Sequence, residues 1–98
     1  MFARVVRWEN AEAKSLEESA AEIRSQAESE GTPPGVPAKE FLLLHDTAAG
    51  KALAITLFES EEDYREGDET LNSMSPPGEG MGTRVAVEKY ELAAHVQA

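Results

Sequence analysis

The chain has 98 residues, a length that suits one domain, 1–98, with a modest core; it has no cysteine, so disulfides, thiolate metal sites and cysteine nucleophiles are excluded. Its net charge is −10, and the nine Lys and Arg are scattered, so it lacks the basic face that nucleic acid or an anionic membrane would need. No apolar run approaches the roughly 20 residues of a membrane-spanning helix, and "MFARVVRW" lacks a signal peptide's long apolar stretch, so a soluble cytoplasmic protein is expected.

Residues 2–8, "FARVVRW", alternate between two faces and are rich in β-branched and aromatic side chains, which predicts a strand. Ala13, Leu16, Ala20, Ile23 and Ala27 then recur at spacings of three and four, the stripe of an amphipathic helix. Asn10 is the expected cap, with Ser15 and Glu18 as a later alternative start, and Gly31 fits the stop. "TPPGVP" reads as a rigid loop. "KEFLLLH" and "KALAITLFE" are strands joined by "DTAAG", where Asp46 can accept a local backbone hydrogen bond and Gly50 can take positive φ. Ser60 with Asp63 opens a second helix in capping-box style, and "EED" sets negative charge against its dipole. Tyr64, Leu71 and Met74 are expected to face inward, and Gly67 weakens that helix. "SPPGEGMG" is a loop and "TRVAVEKYELA" the last strand. The order β-α-β-β-α-β predicts a ferredoxin-like α+β fold: one four-stranded antiparallel sheet with two helices on one face.

Two helices cover one face of such a sheet, so the other should be polar. It is not: Leu53, Ile55 and Leu57 oppose Ala52, Ala54 and Phe58, while Phe41 and Leu43 oppose Leu42 and Leu44. Phe2, Val6 and Trp8 likewise oppose Ala3 and Val5. An uncovered apolar face is a large exposed patch, and the simplest cover is a second copy in a closed homodimer.

The strand at the start of the chain, "PGVPAKEFLLLHD", "GKALAITLFESEED" and the ending "VAVEKYELA" together resemble the dimeric α+β-barrel superfamily, which includes the antibiotic-biosynthesis-monooxygenase-like proteins. The likeness is strongest where the third strand runs through Phe58 and Glu59 into Ser60, Glu61 and Glu62. It covers nearly the whole chain, and its motifs are structural. It implies a small homodimer with a pocket between sheet and helices in each subunit. Activities in that superfamily include cofactor-independent oxygenation of polyphenolic rings, haem degradation, polyketide cyclisation and lactone isomerisation. The second helix has no histidine where the haem-degrading members would need a ligand, which counts against that activity. The expected ligand is a small apolar or aromatic molecule, with no cofactor; the alternative is a non-catalytic binding or dimerisation module whose core is filled by Leu, Ile and Phe side chains.

His45 is the leading candidate for chemistry, as a base or orienting donor at a pocket mouth; the plainer reading is an exposed strand end. Asn10 and Tyr64 are the other candidate catalytic residues, against plainer roles as a helix cap and a packed ring. Trp8, Phe58 and Arg4 are candidates for holding substrate. An ion pair from Arg4 or Arg7 to Glu88 or Glu91 on a neighbouring strand is the plainer role for an arginine here. Met74 and Met81 flank the Pro/Gly loop and could close over an apolar ligand. His95 lies in the tail, away from any motif. The two histidines lie fifty residues apart with no ligand spacing, so no metal site is expected.

Overall fold

The computed structural model describes residues 1–30, 35–73 and 82–96, without the side chains of Ala27, Ser29, Glu30 and Ser73. The expected positions of Gly31, Met74 and Met81, and most of the two proline loops, lie outside the described residues. The elements are β1 (Phe2–Glu9), α1 (Ala13–Glu30), β2 (Ala38–Asp46), β3 (Lys51–Phe58), α2 (Glu61–Ser73) and β4 (Thr83–Glu91). The strands form one sheet in the order β2-β3-β1-β4, every neighbour antiparallel. With its two helices on one face, this is the ferredoxin-like α+β fold.

Strand register separates the two faces. Phe2 stands opposite Phe58, Arg4 opposite Thr56, Val6 opposite Ala54 and Trp8 opposite Ala52. These residues, with Phe41, Leu43 and His45 of β2, form the face beneath the helices. The core there has two parts. Under α1, Leu16 packs on Val6, Trp8, Ala52 and Ala54; under α2, Tyr64 packs on Phe58 and Val36, with Phe2, Ala38 and Leu71 around them.

The β2–β3 turn forms as its residues predict. Asp46 Oδ1 accepts from the Ala49 N–H at 3.1 Å, and Gly50 has φ +69°. A Cβ on Gly50 would come within 2.6 Å of the Ala11 carbonyl oxygen. The turn therefore docks closely on the segment after β1, where the Ala11 N–H donates to the Gly50 carbonyl at 2.9 Å. That docking corrects the expected start of α1. Asn10 does not cap the helix; it takes φ +61°, a left-handed bend that Asn tolerates, and α1 begins at Ala13. Ala13 itself is exposed, while Ser19 is buried. The start of α2 follows the sequence: Ser60 Oγ accepts from the Asp63 N–H at 3.1 Å, with Glu61, Glu62 and Asp63 in the first turn.

Gly67 has a packing reason. The Phe58 ring is fully buried directly beneath it, and a Cβ at Gly67 would overlap the ring at Cε1 and Cζ. The glycine lowers helix propensity but lets α2 lie close to β3. Propensity alone says Gly67→Ala gains about 1 kcal/mol. The overlap reverses the sign, and we expect a net loss of about 1–3 kcal/mol, in the range of overpacked cores. Denaturant unfolding followed by Trp8 fluorescence measures it; a stabilised variant would mean that α2 is not seated on Phe58.

Candidate functional site

The α2 half of the helix-covered face is filled by Phe58, Tyr64 and Phe2, and the α1 half by Trp8 and Leu16 only near the start of the helix. Between Leu16 and Ile23, the sheet-facing side of α1 offers only the small Ser19 and Ala20. Opposite them, Phe41, Leu43 and His45 project from alternate positions of β2. The outcome is a cleft of about 350 Å³, lined by Ala20, Ile23 and Arg24 of α1 and by Phe41, Leu43 and His45 of β2. Leu43 also packs against the cluster around Trp8, which joins the cleft to the core. The volume lies at the small end of ligand-binding cavities, enough for a compact ring system.

The lining is mostly apolar, with two groups that can carry positive charge, Arg24 and His45. Arg24 Nε donates to the Ala20 carbonyl at 3.4 Å, which turns the side chain back along α1. His45 is exposed at the end of β2, beside the docked turn. Among the described residues, no acidic side chain lines the cleft.

Of the candidate site residues taken from the sequence that lie among the described residues, His45 alone lines this cleft. Asn10 is exposed in the bend before α1. Trp8 is buried against Leu16 and Val6. Phe58 is enclosed by α2, and Tyr64 meets it edge-on, with centroids 5.6 Å apart and planes at 74°. His95 is exposed in the segment after β4. Met74 and Met81 are outside the described residues.

Arg4 has a different partner from the one its strand position suggests. Its side chain is only 5% exposed and points under α2, where Nε donates to Asp68 Oδ1 at 2.7 Å and Nη2 to Asn72 Oδ1 at 2.9 Å. Neither Glu88 nor Glu91 forms this pair. Arg4 is thus occupied in tying α2 to the central strand. Lys89 of β4 makes a second tie, 5.1 Å from the ring centroids of both Phe2 and Tyr64 and 3.1 Å from Glu61. Arg24, Ile23, Phe41 and Leu43 are site residues that the sequence pattern does not single out. One signal is present for Arg24: it is the only cation in residues 15–30 and lies four residues after Ala20, on the edge of the apolar stripe.

Among the described residues, no group of three or more His, Asp or Glu side chains could hold a metal ion, and no helix is long and apolar enough to cross a membrane. Comparison of the sequence with models of known protein families finds no match, and comparison with curated proteins finds none either.

Two measurable consequences follow from the Arg4 tie. Asp68→Ala strips a buried guanidinium of its carboxylate. Because Asp68 is about a third exposed, we expect a loss of about 1–3 kcal/mol, below the cost of breaking a fully buried pair. Urea unfolding checks it, and an unchanged midpoint would mean that water solvates Arg4. The Tyr64 hydroxyl is held above its ordinary value of 10.0 by burial and then by the charge of Asp68, partly offset by Arg4. A folded state that keeps a proton the unfolded chain releases loses stability as pH rises from 10 through the raised value. The slope of unfolding free energy against pH above 10 should therefore be shallower in Tyr64→Phe than in the wild type; equal slopes would remove Tyr64 as the source.

Proposed function

We propose that the chain is a small-molecule-binding homodimer of the dimeric α+β-barrel type, with the α1–β2 cleft as the ligand site. The observation that carries this reading is the cleft itself, a volume of about 350 Å³ with a mostly apolar lining, left open between α1 and β2. The βαββαβ order and the position of the cleft between sheet and helices both suit that superfamily.

Dimerisation is supported by the second face of the sheet. It carries Leu42 and Leu44 of β2, about half exposed, beside Leu53 and Ile55 of β3 and Val5 of β1. Toward β4 the same face turns polar, with Arg7, Glu88 and Tyr90, the Tyr90 hydroxyl donating to Glu88 Oε2 at 2.9 Å. A patch with both signs of charge at one side and leucines at the other is self-complementary under a two-fold axis. Two copies meeting face to face would bury the leucines and set Arg7 of one near Glu88 of the other.

If the site is catalytic, the chemistry that fits is cofactor-independent monooxygenation of an aromatic or polyketide-like substrate. Among the described lining residues, His45 carries the imidazole that would serve as the base. Removing a proton from an activated ring methylene makes the substrate an electron-rich anion that can react with dioxygen. A methylene plus dioxygen then gives a carbonyl plus water, the substrate supplying the electrons. Binding without turnover is the second reading, favoured by the structural occupation of Arg4, Tyr64 and Phe58.

Native mass spectrometry and calorimetry test the proposal together. We expect a dimer in the wild type and a monomer in Leu44→Glu. We also expect the neutral probe 2-naphthylmethanol to bind the wild type, and to lose at least about tenfold in affinity in Ala20→Phe, which fills the cleft. A monomeric wild type removes the dimer, and unchanged probe binding in Ala20→Phe removes the cleft.

A further inference from the structure

The charge of the cleft runs against the charge of the molecule. The chain carries nineteen carboxylate side chains and nine Lys and Arg. Yet among the described residues the cleft lining contains no carboxylate, and its two nitrogen-bearing side chains are the Arg24 guanidinium and the His45 imidazole. Several other cations are already engaged: Arg4 with Asp68, Lys14 with Glu18, Lys39 with Glu59 and Lys89 with Glu61. Arg24 has no acidic partner within ion-pair distance among the described residues, and its one described hydrogen bond, to the Ala20 carbonyl, uses Nε alone. The terminal amino groups of a guanidinium form a planar fork whose spacing matches a carboxylate. The ring of Phe41 and the branched side chains of Ile23 and Leu43 line the same cleft.

Building on the cleft as a ligand site, we propose that it selects small aromatic carboxylates, the ring held against Ile23, Phe41 and Leu43 and the carboxylate taken by Arg24, with His45 as a second donor. The net charge of −10 repels an anion at long range, so this preference must be local, set by side chains within a few ångströms of the ligand. An apolar ligand without the anion would leave the Arg24 fork facing solvent and would gain only from burial of its ring. A ligand with two carboxylates would have to place the second against the apolar lining, where it would be desolvated without a partner. The class is therefore a monocarboxylate with one compact ring system.

The test uses a matched pair that differs only in the head group: 2-naphthoate and neutral 2-naphthylmethanol, titrated into the wild-type protein by calorimetry at one fixed salt concentration. We expect 2-naphthoate to bind at least about tenfold more tightly, the size expected of one charge-assisted fork. Arg24→Met should bring the two ligands within about twofold of each other. Arg24 is exposed on α1, and an unfolding curve followed by Trp8 fluorescence confirms that the variant is folded. Equal affinities in the wild type, or a preference that survives Arg24→Met, would overturn the carboxylate assignment and leave the cleft standing. Failure of both ligands to bind the wild type would overturn the cleft as well.

Discussion

The fully buried ring of Phe58 is the point from which one half of the structure is built. It closes β3, and four residues of the α2 half converge on it: Tyr64 from above, Val36 from the segment before β2, Phe2 across the strand pair, and Gly67 with no side chain at all. The glycine is what lets α2 come down onto the ring. Once α2 lies that close, Asp68 and Asn72, one turn apart on the helix, reach Arg4 on β1. The ring-filled half of the core and the buried guanidinium tie are thus consequences of one close approach.

The α1 half has a buried ring of its own, Trp8, but it lies against Leu16 and Val6 and does not line the cleft. Leu16 fills its own position against Trp8 and Val6, but the next turn offers Ser19 and Ala20, too small to reach β2. Phe41 therefore faces a space, and Leu43, packed on the Trp8 cluster, forms part of its wall. This asymmetry separates the two functions that a small sheet must share. One helix is held by rings and ion pairs; the other leaves room. The proposed dimer adds the third component, since leucines on the free face of the sheet are half exposed and a second copy would bury them.

Features set by neighbouring residues are legible in the sequence. The turn at Asp46–Gly50, the Ser60–Asp63 cap and the acidic opening of α2 depend on groups close together along the chain, and each forms as its residues indicate. The apolar second face is legible too, because alternation in a strand assigns faces without knowing what covers them. The start of α1 is not, because the β2–β3 turn docks on Ala11 from about forty residues away, next to the left-handed bend at Asn10. The partner of Arg4 is hidden for the same reason: strand pairing offers Glu88 and Glu91, while the actual acceptors sit on a helix 64 and 68 residues further along. Arg24 gives little sign of itself because an arginine on a charged helix ordinarily faces water.

The sequence by itself determined the element order, the antiparallel ferredoxin-like sheet, the two-faced apolar pattern and the local caps and turns, because periodicity and short-range hydrogen bonding specify those directly. Tertiary structure alone decided which of several plausible polar residues were used up in holding helices down and which were left beside open space. That choice depends on how closely each helix approaches the sheet, and a single missing Cβ at Gly67 or a small side chain at Ala20 sets that distance.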